Sequence, residues 1–155
     1  MPRTDEESRE ISAATHDVFA ALVDPRMLER WLPPHGMTGR VERFDARAGG
    51  TYRMELAYAD SEANPGKTGQ GSDVVEGRFV EIVDGVRVVQ EVEFPSDDPS
   101  FSGLMTMSWL VEPTASGTRA TFRAENVPAG ISAADHREGL RSSLHNLAVL
   151  VESHS

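Results

Sequence analysis

The chain contains no cysteine, which excludes disulfide bridges, thiolate nucleophiles and cysteine-ligated metals from the outset. Lysine is almost absent too: Lys67 stands alone among 15 basic residues, and the rest are arginines. That bias fits the codon usage of a GC-rich genome and carries no function. No apolar run approaches the roughly 18 residues that a membrane-spanning helix needs. The N-terminal stretch MPRTDEESRE is charged and lacks the apolar centre of a signal peptide, so a cytoplasmic protein is expected. Positive charge is also in deficit. The net charge of −10 would repel phosphates, which argues against nucleic-acid and anionic-membrane partners. The acidity is spread along the chain, as expected of a solvated surface.

The 155 residues suit one domain. A chain of this size can bury roughly 68–70% of its unfolded surface, enough for a real core. Residues 1–7 are polar and are expected to be loose. A single domain is expected over 8–152.

Ser8–Ala13 predicts a first strand, carried by Ile11. Thr15 is placed to cap a short helix with Val18, Phe19 and Leu22 on its apolar face. Asp24 caps a second helix, with Pro25 at the first position, where its missing N–H costs nothing. Leu28 and Trp31 share a face of that helix, and Pro33 and Pro34 end it.

From Gly36 the period changes to that of strands. Met37–Asp45 predicts one strand. The run TYRMELAYA predicts the next, with Tyr52, Met54, Leu56 and Tyr58 on one face and Arg53 and Glu55 on the other. Residues 59–73 read as a long polar loop, either disordered or a lid. Val74–Val83 and Val86–Phe94 flank Asp84-Gly85, a two-residue hairpin signal. Phe101–Val111 and Thr118–Asn126 predict a final hairpin. Met105, Met107, Trp109 and Val111 share a face of the first, and Ala120 and Phe122 a face of the second. A helix from about Ser132 to Glu152 closes the chain, with Leu140, Leu144, Leu147 and Val151 as a continuous apolar stripe.

Consecutive strands joined by turns form a meander. Its apolar face needs a cover, and the C-terminal helix is the large apolar element available. The expected fold is α+β: a curved antiparallel sheet of about 6–7 strands wrapped around that helix, with two short helices after the first strand.

These motifs carry a resemblance. Ile11-Ser12-Ala13, Val18-Phe19, Asp24-Pro25, Leu28 and Trp31 are followed by Gly49-Gly50 with Tyr52, by the run Glu76–Ile82, and by Trp109–Pro113 with Gly117-Thr118. A last helix then opens near His136 and Gly139. The order and spacing resemble the START-like helix-grip (SRPBCC) superfamily, and most of all the branch named after the C-terminal domain of the activator of Hsp90 ATPase. The resemblance covers about residues 8–152. Such proteins often carry Pro where this chain has Ala14, and Gly-Trp where it has Gly139-Leu140. The second departure removes an aromatic ring from the expected cavity wall.

Little in the sequence points to a reaction. His16, His35, His136, His145 and His154 are scattered without a ligand spacing, so no metal is expected. No nucleophile elbow, phosphate loop or dinucleotide fingerprint is present, and no cofactor is expected. Acid–base chemistry stays open through His136, Glu55, Glu76, Glu91 and Glu93. His136 has an equally ordinary reading as a surface or capping residue beside Asp135, Arg137 and Glu138.

The resemblance implies a cavity between sheet and helix that binds a small hydrophobic or aromatic molecule. Trp31, Tyr52, Met54, Met105, Met107, Trp109, Phe122, His136, Leu140 and Leu144 are its expected lining. Methionines suit an adaptable wall. Two alternatives follow from the same resemblance: a polyketide cyclase/dehydrase-like enzyme using that cavity, and a chaperone-interacting module. Full-length chaperone activators carry a further N-terminal domain, for which this chain is expected to have no room. A homodimer is compatible with all three readings.

Overall fold

A computed structural model describes residues 3–33, 37–58, 72–93 and 104–152. In chain order the elements are β1 (Arg3–Ile11), α1 (Thr15–Leu22), α2 (Pro25–Trp31), β2 (Met37–Phe44) and β3 (Thr51–Tyr58). There follow β4 (Ser72–Val83), β5 (Arg87–Glu93), β6 (Met105–Thr114), β7 (Gly117–Val127) and α3 (Ala133–Glu152). The strands form one seven-stranded antiparallel sheet in the order β1-β7-β6-β5-β4-β3-β2. It is the expected meander, closed by β1 pairing with the last strand. The sheet curls around α3, which packs against β1, β7, α1 and α2.

Local chemistry explains the helices. The Asp24 side chain accepts from the Arg26 N–H at 2.9 Å, with Pro25 opening α2 as expected. Ser132 caps α3, its hydroxyl oxygen accepting from the Asp135 N–H at 3.3 Å. The stripe Leu140, Leu144, Leu147 and Val151 is buried, and each such side chain contributes about 1.5–3 kcal/mol. α3 is also tied to the end of α2. The Ser143 hydroxyl donates to the Leu32 carbonyl at 2.6 Å, and Asn146 Nδ2 donates to the Pro33 carbonyl at 3.0 Å.

Several expectations need correction. Residues 3–7 are not loose: they extend β1 and pair with β7 in the register Arg3↔Val127, Asp5↔Ala124 and Glu7↔Phe122. Their inward side chains are acids, so apolar alternation does not mark them, and ion pairs with α3 compensate their burial. Thr15 is not a cap. It lies inside α1 after Ala14, and its hydroxyl meets that of Thr118 at 3.0 Å. The β4–β5 connection has three residues, not two. Val83 pairs with Arg87, the Val86 N–H donates to the Val83 carbonyl at 2.9 Å, and Gly85 takes the positive φ of 73°. Most of the expected polar loop, 59–71, and the cluster Pro95–Ser100 lie outside the described residues.

Candidate functional site

In an antiparallel sheet, residues directly opposite one another point to the same face. The register therefore assembles the inner face row by row. One row runs Tyr52, Gly77, Val92, Met105 across β3 to β6. The next runs Phe79, Gln90, Met107, Ala124, Asp5 across β4, β5, β6, β7 and β1. A third runs Val88, Trp109, Phe122, Glu7.

Nine of the ten expected lining residues belong to this interior. Trp31, Tyr52, Met54, Met105, Trp109, Phe122, Leu140 and Leu144 are buried, and Met107 is half-buried. They form two aromatic groups. Trp31 packs edge-on against Trp109, with ring centroids 5.1 Å apart, and both touch Phe122 at 5.4 and 5.9 Å. Trp31 is fully buried, and its Nε1–H donates to the Ala21 carbonyl at 2.9 Å. It pins α2 to α1 and seals that end of the sheet.

The second group is Tyr52 with Phe44 and Phe79, at centroid distances of 6.2 and 5.2 Å. The Tyr52 ring covers Gly77: a Cβ there would lie 2.3 Å from ring carbon Cε1. Burial pushes the Tyr52 phenol pKa well above its ordinary value. Met54 similarly fills the space over Gly39, where a Cβ would lie 2.3 Å from the methionine methyl.

His136 is set apart from these groups. It stands in the first turn of α3, where Nδ1 meets the Asp5 carboxylate at 2.8 Å. Arg3 binds the same carboxylate through Nε at 3.1 Å and donates to the Ile131 carbonyl at 2.5 Å. Burial raises the Asp5 pKa, but hydrogen bonds from Arg3 and His136 outweigh it, and the carboxyl ends below its ordinary value. The cluster clamps the start of α3 to the first strand.

The candidate carboxylates Glu55, Glu76, Glu91 and Glu93 lie on the opposite, outer face. Glu76 pairs with Arg53 and Glu91 with Arg78, while Glu93 is exposed. His16 and His145 are exposed, and His35 and His154 lie outside the described residues. Among the described residues, no group of three His, Asp or Glu side chains is placed to hold a metal ion. No helix of the described chain is long and apolar enough to cross a membrane. An open polar depression lined by Thr4, Glu6, Glu7, Ser8 and Arg137 runs along the free edge of β1, away from the aromatic groups.

Several inward residues escaped the sequence reading, Gln90 first among them. Gln90 is fully buried in β5, between Val88 and Val92 on the same face, and neither Oε1 nor Nε2 has a hydrogen-bond partner among the described residues. Its flanking partners across the sheet are Phe79 and Met107, neither of which can satisfy an amide. The signal was present in RVVQEVE: Gln90 interrupts the inward valines in a strand whose glutamates take the outward positions. Phe79, inward in the run Glu76–Ile82 and paired with Gln90, was missed as well.

A sheet curled around one long C-terminal helix, with a helix pair inserted after the first strand, defines the helix-grip class. Within it, residues 12–152 match the family described as activator of Hsp90 ATPase homolog 1-like protein, and the chain belongs to that family. A solved structure from Chromobacterium violaceum is 34% identical, over 96% of this chain and 96% of that one, with a TM-score of 0.84. A protein from Arthrobacter aurescens shares the fold at 18% identity, over 97% of this chain and 86% of that one, with a TM-score of 0.80. An AHSA1-like protein from Aeromonas hydrophila does so at 16% identity, over 98% and 94%, with a TM-score of 0.74. No curated protein matches the chain.

Proposed function

We propose that the protein binds a small, largely apolar molecule between the inner face of the sheet and α3. The observation that carries this reading is the Gln90 amide, buried without a partner amid apolar side chains. A buried amide lacking hydrogen bonds costs about 1–3 kcal/mol, and a position retaining one calls for an explanation. A bound molecule supplying the missing partners is such an explanation. Met107 adds support: it is only half-buried although its row partners Gln90 and Ala124 are buried. Methionine repacks readily, which lets this wall accommodate a guest.

The cyclase-type reading needs an acid or base facing the guest. The carboxylates Glu76 and Glu91 face outward in ion pairs, and the inward acids of β1 are engaged, Asp5 by Arg3 and His136 and Glu7 by Arg137 and Arg141, so that reading has no observation in its favour.

The test is mass spectrometry of the small molecules released when the purified protein is denatured, with a fluorescence screen read through Trp31 and Trp109. A stoichiometric released compound, or a saturable fluorescence change with an apolar aromatic probe, is the expected result. Neither a released compound nor a response to any apolar probe overturns the proposal.

A further inference from the structure

The interior of the sheet specifies more than an apolar guest. We infer that the molecule bound here is uncharged and carries an amide-type donor–acceptor pair, a carboxamide or lactam on a flat apolar body, and that Gln90 reads that pair. This inference rests on the binding reading above.

The argument begins with what Gln90 lacks. Its side chain offers two N–H donors and one carbonyl acceptor, and all are unsatisfied. Leucine or methionine would fill a comparable volume in β5 without leaving polar atoms unpaired. A guest that satisfies the amide must accept from Nε2–H and donate to Oε1 along one edge. A lactam or primary carboxamide does both in a single plane through two parallel hydrogen bonds. An ether or ketone serves only the donor and leaves Oε1 unpaired.

Charge narrows the class. Among the described residues, the inward neighbours of Gln90 in the sheet are Phe79, Val88, Val92 and Met107, and none of these carries charge. The acid in the same row, Asp5, stands beyond Met107 and Ala124 and is already engaged with Arg3 and His136. A carboxylate or ammonium brought to Gln90 would therefore lose its hydration with no counter-ion among these neighbours to replace it. Shape narrows it further. Phe79 on one side presents a ring, and Met107 on the other a polarizable chain that packs well on aromatic surfaces.

The experiment compares three probes by calorimetry and tryptophan fluorescence: isoquinolone, a neutral lactam; naphthalene, of the same outline without the polar pair; and benzoate, which is charged. Each is titrated into the wild-type protein and into Gln90→Leu. The expected result is that the wild type prefers isoquinolone to benzoate, and that Gln90→Leu weakens isoquinolone roughly tenfold or more while leaving naphthalene as tight or tighter. If Gln90→Leu does not fold, Gln90→Met takes its place in the same comparison. Should isoquinolone bind the folded variant as tightly as the wild type while both aromatics still bind, the role of Gln90 is overturned and the apolar site stands. Tighter binding of benzoate than isoquinolone overturns the uncharged class. If none of the probes binds the wild type, the inference fails together with the reading beneath it.

Discussion

His136 Nδ1 and the Asp5 carboxylate meet at 2.8 Å, joining the first turn of α3 to the third residue of β1 across 131 positions of sequence. The contact fixes where the helix enters the grip of the sheet. It also places a charged clamp at the end of the row that holds Gln90, with Met107 and Ala124 between them.

Replacing Asp5 tests the clamp. The Asp5 pKa lies below its ordinary 3.8 in the folded protein, because the bonds from Arg3 and His136 outweigh the effect of burial. A carboxyl lowered in this way contributes stability above its unfolded pKa and loses it as pH falls through the folded value. Asp5→Asn is expected to destabilise the protein by about 1–3 kcal/mol near neutral pH. The gap between variant and wild type should close as pH drops below 3.8. Urea unfolding at a series of pH values measures this, and a gap that widens in acid contradicts it.

Gly77 is held to glycine by the ring above it. An alanine Cβ would fall 2.3 Å from Tyr52 Cε1, and that ring is itself packed against Phe44 and Phe79. Gly77→Ala should cost about 1–3 kcal/mol by overpacking. Adding Tyr52→Leu should recover part of the loss, so the double variant will be more stable than the sum of the two single changes. Strict additivity in thermal melts would show that the contact does not matter.

Trp31 acts through both its ring and its N–H. Trp31→Phe keeps an aromatic ring beside Trp109 and Phe122 but leaves the Ala21 carbonyl without its donor. A loss of about 1–3 kcal/mol is expected for an orphaned buried group. Trp31→Ala should cost more, about 3–5 kcal/mol, because it also leaves a cavity. Chemical denaturation of the two variants gives the comparison, and equal losses would assign the whole effect to the N–H bond to Ala21.

Gln90→Leu should raise the stability of the free protein, which is unusual for a change at a fully buried position. Removing two unpaired polar atoms is worth about 1–3 kcal/mol if the leucine fits the space. A rise in melting temperature is the expected outcome. A fall that Gln90→Met repeats would mean that the amide contributes to folding in its own right.

The architecture was largely legible because its signals are local. The stripe Leu140, Leu144, Leu147 and Val151 recurs at helical spacing and is the buried face of α3. Tyr52 and Met54 alternate with Arg53 and Glu55, and they mark the two faces of β3. Asp24-Pro25 starts α2 where a cap and a proline should. Apolar members of the candidate site followed from the same periodicities. What stayed hidden was polar and long-range. Asp5 and Glu7 read as a solvated tail, because nothing nearby in sequence reveals that His136, Arg137 and Arg141 will lie over them.

By itself, then, the sequence determined the element order, the meander and the apolar face, since each depends on spacing within a single helix or strand. The tertiary structure alone decided which polar groups are buried and which of those are paired. Asp5 and Gln90 share one inward row, yet Asp5 is satisfied by an arginine on its own strand and a histidine from α3, while Gln90 meets only Phe79 and Met107 across the sheet. The difference lies in who stands opposite: hydrogen bonding acts over about 3 Å, and neighbours at that range are set by how distant segments pair.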